Sequence, residues 1–419
     1  MAHDELVADN IEWFLPDNIN GYSNRHSCDI AFAQYAISSS TPTVSYPHFF
    51  FHQRNIPSAI QYIPDNGRGY LVLGTNSSST TDPDMYVFRA DTYEPVGSMD
   101  FGPGTVDFDF YDSYIFVAQR SITASAVRIP IRSLFDWAPT YSATSTDMPQ
   151  IDKAMARSLL TGVFPPNSGL PLRILSSKDW IFLGLDKNIS SELKAYQIGH
   201  RPSGDQKDDT YAFPIQSAEI NAGINDMART PYELIVGSPN PVEFSTYLLK
   251  APAYVNGSST ALAGSTMVGN TPFKPLSDFI LAKSFDAPGL SGNGKSIATY
   301  KKEAYFGRTV GNIELYKTSG LLDDVAASKP LPWKFTSAAS FDANKTILQV
   351  EEIFGGSYVL ALAKIPSPAI ELLRKNQSGA YSLDRSVALP ATTTSMTCAG
   401  RDIVVGMEST TTPLAIIRF

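Results

Sequence analysis

The stretch Val106-Asp-Phe-Asp-Phe-Tyr-Asp-Ser-Tyr-Ile-Phe-Val-Ala118 limits the fold more than any other part of the chain, because its pattern recurs. Apolar Val106, Phe108 and Phe110 alternate with Asp107 and Asp109, the period-two spacing of a strand with one buried face. Asp112-Ser113 supplies a turn, since short polar side chains hydrogen-bond their own backbone there. Tyr114 to Ala118 is a β-branched and aromatic run, which predicts a second, more deeply buried strand. The unit is a hairpin.

Similar units fill the chain from residue 59 onward. Ala59 to Ile63 with Tyr70 to Gly74 comes first, and the stretch above is second. Leu172 to Leu175 with Trp180 to Gly184 follows, then Ile224 to Ala228 with Tyr232 to Gly237. Ile297 to Tyr300 with Ala304 to Gly307, Ile347 to Val350 with Tyr358 to Leu362, and Met396 to Cys398 with Ile403 to Gly406 complete the series. Taking Tyr70, Tyr114, Trp180, Tyr232, Ala304, Tyr358 and Ile403 as anchors, successive gaps are 44, 66, 52, 72, 54 and 45 residues. The shortest of these match the roughly 40 to 50 residues of a four-stranded propeller blade. The surplus falls near 132–170, 251–295 and 318–345, stretches rich in Pro, Gly, Ser and Thr, as expected of loops on one rim. Within them only Ile151 to Leu160 reads as a short helix.

The expected architecture is therefore all-β: a seven-bladed β-propeller of four-stranded antiparallel blades over residues 59–419. The last unit ends on its third strand, which leaves an open edge. Residues 1–58 are irregular and precede the first unit, so a strand from within them is expected to pair with Leu414 to Phe419 and close the ring. Cys28 and Cys398 would then share a blade, either as a disulfide or as two buried thiols that act as small apolar side chains.

The hairpin with Asp or Gly at its turn, followed after a variable loop by a short strand such as Met85-Tyr-Val-Phe88, resembles the WD-repeat and related seven-bladed β-propeller superfamily. The resemblance lies in pattern. No Gly-His or Trp-Asp pair stands at the repeat positions, so no family function is implied residue by residue.

Charge and composition remove several functions. A net charge of −8 with no basic run longer than Lys301-Lys302 is unsuited to neutralising phosphates, so nucleic acid is not an expected partner. No stretch of about 18 consecutive apolar residues predicts a membrane span. The first residues lack the basic-then-apolar pattern of a secretory signal, as would a chain from which one had been removed. Asn-x-Ser/Thr sequences at Asn76, Asn188, Asn256, Asn344 and Asn376 recur as often as a Ser/Thr-rich chain produces by chance and do not assign a compartment.

Gly289-Leu-Ser-Gly-Asn-Gly-Lys-Ser296 matches the phosphate-binding loop pattern, whose chemistry requires a helix directly after it. Ile297 to Tyr300 instead reads as a strand, so the stretch is expected to be a connecting loop with a surface lysine. Asp107 and Asp109, with Asn225 and Asp226 on another channel-lining strand, form an oxygen-rich set suited to calcium, of the sort propeller lactonases and phosphotriesterases use. Polar residues lining a water-filled tunnel have the same pattern. His48 and His52 bracket Phe49, Phe50 and Phe51 but show no third ligand at zinc spacing. Phe49, Phe50, Phe51 and Trp137 are candidate partner-facing anchors, because aromatic side chains dominate interface energetics.

The expected function is a non-catalytic platform that holds protein partners through its rim loops, as a structural component of a large assembly such as a virus or phage particle. The alternatives are a metal-dependent, lactonase-like hydrolase using the channel carboxylates, and a glycan-binding propeller.

Overall fold

Alternating apolar side chains bring strands together as antiparallel hairpins, and the sheets form in chain order. The structure, a computed structural model, describes residues 41–47 and, between residues 56 and 419, the strands below with their short turns; residues 1–40 and the long connections lie outside the described residues. β1 (Thr43–Ser45) precedes the first sheet, which contains β2 (Pro57–Asp65), β3 (Arg68–Thr75), β4 (Met85–Arg89) and β5 (Pro95–Met99). The second has β6 (Thr105–Tyr111), β7 (Tyr114–Gln119) and β8 (Ala126–Pro130). β9 (Gln150–Ile151) returns to pair in parallel with β5 as a fifth strand of the first sheet. Ile151 is therefore extended, not the start of a helix, and residues 152–160 of that run lie outside the described residues.

The third sheet holds β10 (Leu170–Ser177), β11 (Trp180–Asp186), β12 (Ser191–His200) and β13 (Thr210–Ile220). The fourth holds β14 (Asp226–Arg229), β15 (Glu233–Gly237) and β16 (Phe244–Leu248). A separate small sheet of β17 (Ala253–Tyr254), β18 (Thr266–Val268) and β19 (Thr271–Lys274) follows before its outer strand β20 (Ile280–Phe285). The fifth sheet is β21 (Gly294–Tyr300), β22 (Glu303–Arg308), β23 (Asn312–Lys317) and β24 (Phe335–Ser340). The sixth is β25 (Ile347–Ile353), β26 (Tyr358–Ala363), β27 (Ala369–Lys375) and β28 (Tyr381–Ala388). The last joins β29 (Thr393–Ala399), β30 (Asp402–Met407) and β31 (Leu414–Arg418) to β1, with Thr43 opposite Arg418 and Ser45 opposite Ile416.

Among the described residues, the second strands of the hairpins are buried on both faces, which is why they are apolar without alternation. In β7, Ile115 and Val117 enter a cluster with Ile63, Val72 and Phe108 of the neighbouring strands. Tyr114 and Phe116 of the same strand face Ile174 and Leu183 of the third sheet. In β30, Ile403 and Val405 pack toward Leu360 and Leu372, whereas Val404 packs with Ile60 and Leu71 of the first sheet. The innermost strands lie side by side in the order β2, β6, β10, β14, β21, β25, β29, and β29 lies against β2.

A register shift recurs near the start of the inner strands, between Thr105 and Asp107, Pro171 and Arg173, Gly294 and Ser296, Ile347 and Gln349, and Thr393 and Ser395. Such a bulge re-aims the side chain that follows it. The next sheet approaches closely there. A Cβ on Gly74 would stand 2.5 Å from Thr105 Cγ2, and one on Gly406 2.6 Å from Thr394 Oγ1 and 3.0 Å from Pro57 Cβ.

Gly294 to Ser296 begins β21, so the part of the phosphate-loop motif that is described is extended backbone and is followed by strand. Cys398 on β29 is fully buried and disulfide-bonded; Cys28 lies outside the described residues. No helix among the described residues is long and apolar enough to cross a membrane.

Candidate functional site

The inner strands converge on a cavity of about 70 Å³ whose wall includes Gln61, Asp107, Arg173, Asp226, Gln349 and Glu351. Gln61, Asp107, Arg173, Gln349 and Glu351 stand at or two residues beyond a bulge of their inner strand, that of Gln61 falling between Pro57 and Ala59, whereas Asp226 opens β14, which pairs without one. Three carboxylates and one guanidinium therefore share a small space. Arg173 Nη1 donates to Leu172 O at 2.8 Å. Gln61 Oε1 and Ser395 Oγ are buried in the wall without a hydrogen-bond partner, so the wall can offer acceptor and hydroxyl groups to a small polar guest.

The carboxylates expected to hold calcium are engaged by backbone. Asp107 Oδ2 accepts Ile174 N–H at 3.1 Å. Asp109 Oδ2 accepts Ser176 N–H at 2.7 Å, and its Oδ1 accepts Phe110 N–H at 3.0 Å. Asp226 Oδ2 accepts Ile297 N–H at 2.8 Å, and its Oδ1 accepts Met227 N–H at 2.9 Å. In each carboxylate the second sheet's backbone is reached by Oδ2, so the side chain ties one sheet to the next. A carboxylate that accepts N–H bonds away from water makes hydrogen bonds roughly twice as strong as neutral ones.

Other inner strands do the same with neutral groups. Gln349 Oε1 accepts Met396 N–H and its Nε2 donates to Met396 O, both at 2.9 Å. Thr397 Oγ1 accepts Tyr62 N–H at 3.2 Å, and Gln61 Nε2 donates to Phe108 O. The direction is constant: the side chain belongs to one sheet and the backbone partner to the sheet after it, with Thr397 on the last sheet reaching Tyr62 on the first.

Asp107 and Asp226 line the cavity. Asn225 precedes β14 and donates its backbone N–H to Gly237 O at 2.8 Å. Among the described residues, no group of three or more His, Cys, Asp or Glu side chains is placed to hold a metal ion. Phe49, Phe50, Phe51 and Trp137, with His48 and His52, lie outside the described residues.

Sequence reasoning missed Gln61, Arg173, Gln349, Glu351 and Thr397. A usable signal was present in the spacing: Arg173 and Gly184, Asp226 and Gly237, Ser296 and Gly307, and Ser395 and Gly406 each stand eleven positions apart, and each pair faces across an inner hairpin.

The chain matches no protein-family model and no curated protein. It is similar in structure to the β-propeller domain of Cps50 (Swd1) from Myceliophteria thermophila, with TM-score 0.57 and 8% identity over 90% of this chain and 100% of that one. U3-55K gives TM-score 0.52 and 9% identity over 92% of this chain and 100% of that one. The WD40 repeats of RRP9 give TM-score 0.50 and 11% identity over 92% of this chain and 99% of that one. At these identities the likeness concerns fold.

Proposed function

We propose that this all-β propeller is a non-catalytic, seven-bladed binding or assembly platform. Its ring would be closed by Thr43–Ser45 completing the last blade, and protein partners would be held by the long connections of one rim. The pairing of β1 with β31 and the packing of β29 against β2 support closure. The long connections after β8, β16 and β23 all leave from the third strand of a sheet. Successive turns of an antiparallel sheet emerge at alternate ends, so these three share one rim. Such connections are where binding residues concentrate on a rigid scaffold.

The observation that carries the non-catalytic reading is the use of Asp107, Asp109 and Asp226 as acceptors for the next sheet's N–H groups. A carboxylate held this way supports architecture. The acidic cavity wall favours the second reading, a metal-dependent hydrolase acting through Asp107 and Asp226. The wider setting we propose is a multi-subunit assembly, a virus or phage particle being one example.

The test is to isolate the chain from its own cells, measure bound metal and hydrolysis of lactones and phosphotriesters, and identify any stoichiometric protein partner. The platform reading expects a partner that is lost when the connection after β16 is shortened, with the unfolding midpoint unchanged. Stoichiometric calcium lost together with hydrolysis in Asp226→Asn would overturn it, and retention on immobilised glycans instead of protein would assign the third function.

A further inference from the structure

The Asn-x-Ser/Thr sequences acquire meaning when combined with the state of Cys398. Disulfides persist in oxidising compartments, and those of eukaryotic cells are also where such sequences are modified. Cys398 is disulfide-bonded and has no solvent exposure. Asn76, Asn188 and Asn376 lie among the described residues, and all three are exposed.

Asn376-Gln-Ser378 stands out in geometry. It occupies the tip of the hairpin between β27 and β28, where Asn376 N–H donates to Ala380 O at 2.8 Å and Gly379 N–H to Asn376 O at 3.0 Å. The hydroxyl of Ser378 donates to Asn376 Oδ1 at 2.6 Å, and the N–H groups of Ser378 and Ala380 approach the same oxygen at 3.0 Å each. With Oδ1 held by three donors, the side-chain amide presents its nitrogen. Residues 376–378 are all exposed, so a bulky substituent on that nitrogen would project into solvent without displacing a packed group.

We propose that Asn376 is an N-glycan acceptor and that this propeller matures in an oxidising compartment. In the reaction, Asn376 Nδ2 bonds to the anomeric carbon of an oligosaccharide carried on a lipid diphosphate. The carbon–oxygen bond to the diphosphate breaks, the lipid diphosphate leaves with the electron pair, and Nδ2 gives up one proton; nothing is oxidised or reduced. The glycan stands on the turn between third and fourth strands of the sixth sheet, at the same end as the long connections, and would border any partner held there.

The experiment uses the full chain isolated from its own cells. Enzymatic release of N-glycans in heavy-oxygen water is expected to convert Asn376 to labelled aspartate, and in denaturant, where a buried thiol would be reached, Cys398 is expected to resist alkylation until a reductant is added. Ser378→Ala, produced in the same cells, should lose the glycosidase-sensitive mass shift at this position, whereas Ser378→Thr should retain it with an unchanged melting temperature. Recovery of unmodified Asn376, or alkylation of Cys398 in denaturant without reductant, would overturn the proposal. The platform reading does not depend on either outcome.

Discussion

Tyr93 donates its hydroxyl to Asp402 Oδ2 at 2.8 Å, joining a turn of the first sheet to the start of the second strand of the last. Arg418 completes the arrangement, its Nε 2.6 Å from Asp402 Oδ1 and its Nη2 2.8 Å from Oδ2. Tyr93 holds a left-handed backbone, φ 58°, which is uncommon for a bulky residue. The two sheets are thereby fastened at their rim as well as through their apolar faces.

Burial, and then the negative charge of Asp402, raise the ionisation of Tyr93 well above the ordinary tyrosine range. The folded state therefore keeps Tyr93 protonated where the unfolded chain loses its proton. Its contribution is complete below about pH 10 and is lost as pH rises above that value. Urea unfolding from about pH 8 to about pH 11 should show an alkaline loss of stability that is shallower in Tyr93→Phe. An identical slope in the variant would remove Tyr93 from the account.

Asp109 accepts two backbone N–H groups in a site that is 2% exposed. Asp109→Ala leaves both donors buried, at a cost of about 1–3 kcal/mol each. Asp109→Asn keeps one acceptor and should lose less. Exposed Asp384, paired with Arg385 at 3.2 Å, is the control, and its replacement by Ala should change stability by about 0–1 kcal/mol. Equal midpoints for Asp109→Ala and Asp384→Ala in urea would contradict the tie between sheets.

Gly406→Ala should lower stability by about 1–3 kcal/mol, because the new Cβ meets Thr394 Oγ1 and Pro57 Cβ in a packed interior. Adding Thr394→Ala removes the nearer atom and should recover part of the loss. A double-mutant cycle reading about 0.5 kcal/mol or more of coupling checks the geometry. Strictly additive effects would mean that Thr394 Oγ1 of β29 does not stand against Gly406 of the paired strand β30 as described.

Val44 is half-buried against the cluster of the last sheet, opposite Ile417. Val44→Asp places a charge there, and the expected result is a lower melting temperature with self-association through the uncovered edge of β31. Size-exclusion chromatography with a thermal melt reads both. A monomer with an unchanged midpoint would show that this pairing contributes nothing.

The hairpins were legible because their cause is local. Period-two alternation in Val106 to Phe110 and the apolar run Tyr114 to Ala118 predict the two strands that form β6 and β7. Asp107 and Asp109, with Asn225 and Asp226, were expected to face the channel because they fall on inner strands, and of these Asp107 and Asp226 line the cavity. Their use was not legible, since an acidic side chain beside a channel has one sequence signature whether it meets a cation or an N–H group. Ile151 was misread because β9 is only two residues long and depends on β5, a partner distant in sequence.

The amino-acid order by itself determined which segments form the inner hairpins, where those hairpins reverse and which side chains are apolar enough to be enclosed, because these follow from neighbours a few residues apart. Only the tertiary structure decided that Asp109 meets Ser176, that Thr397 meets Tyr62 and that Thr43 to Ser45 lie along Ile416 to Arg418. Those contacts depend on the angle and spacing between packed sheets, which arise from the summed packing of side chains distributed over the whole chain.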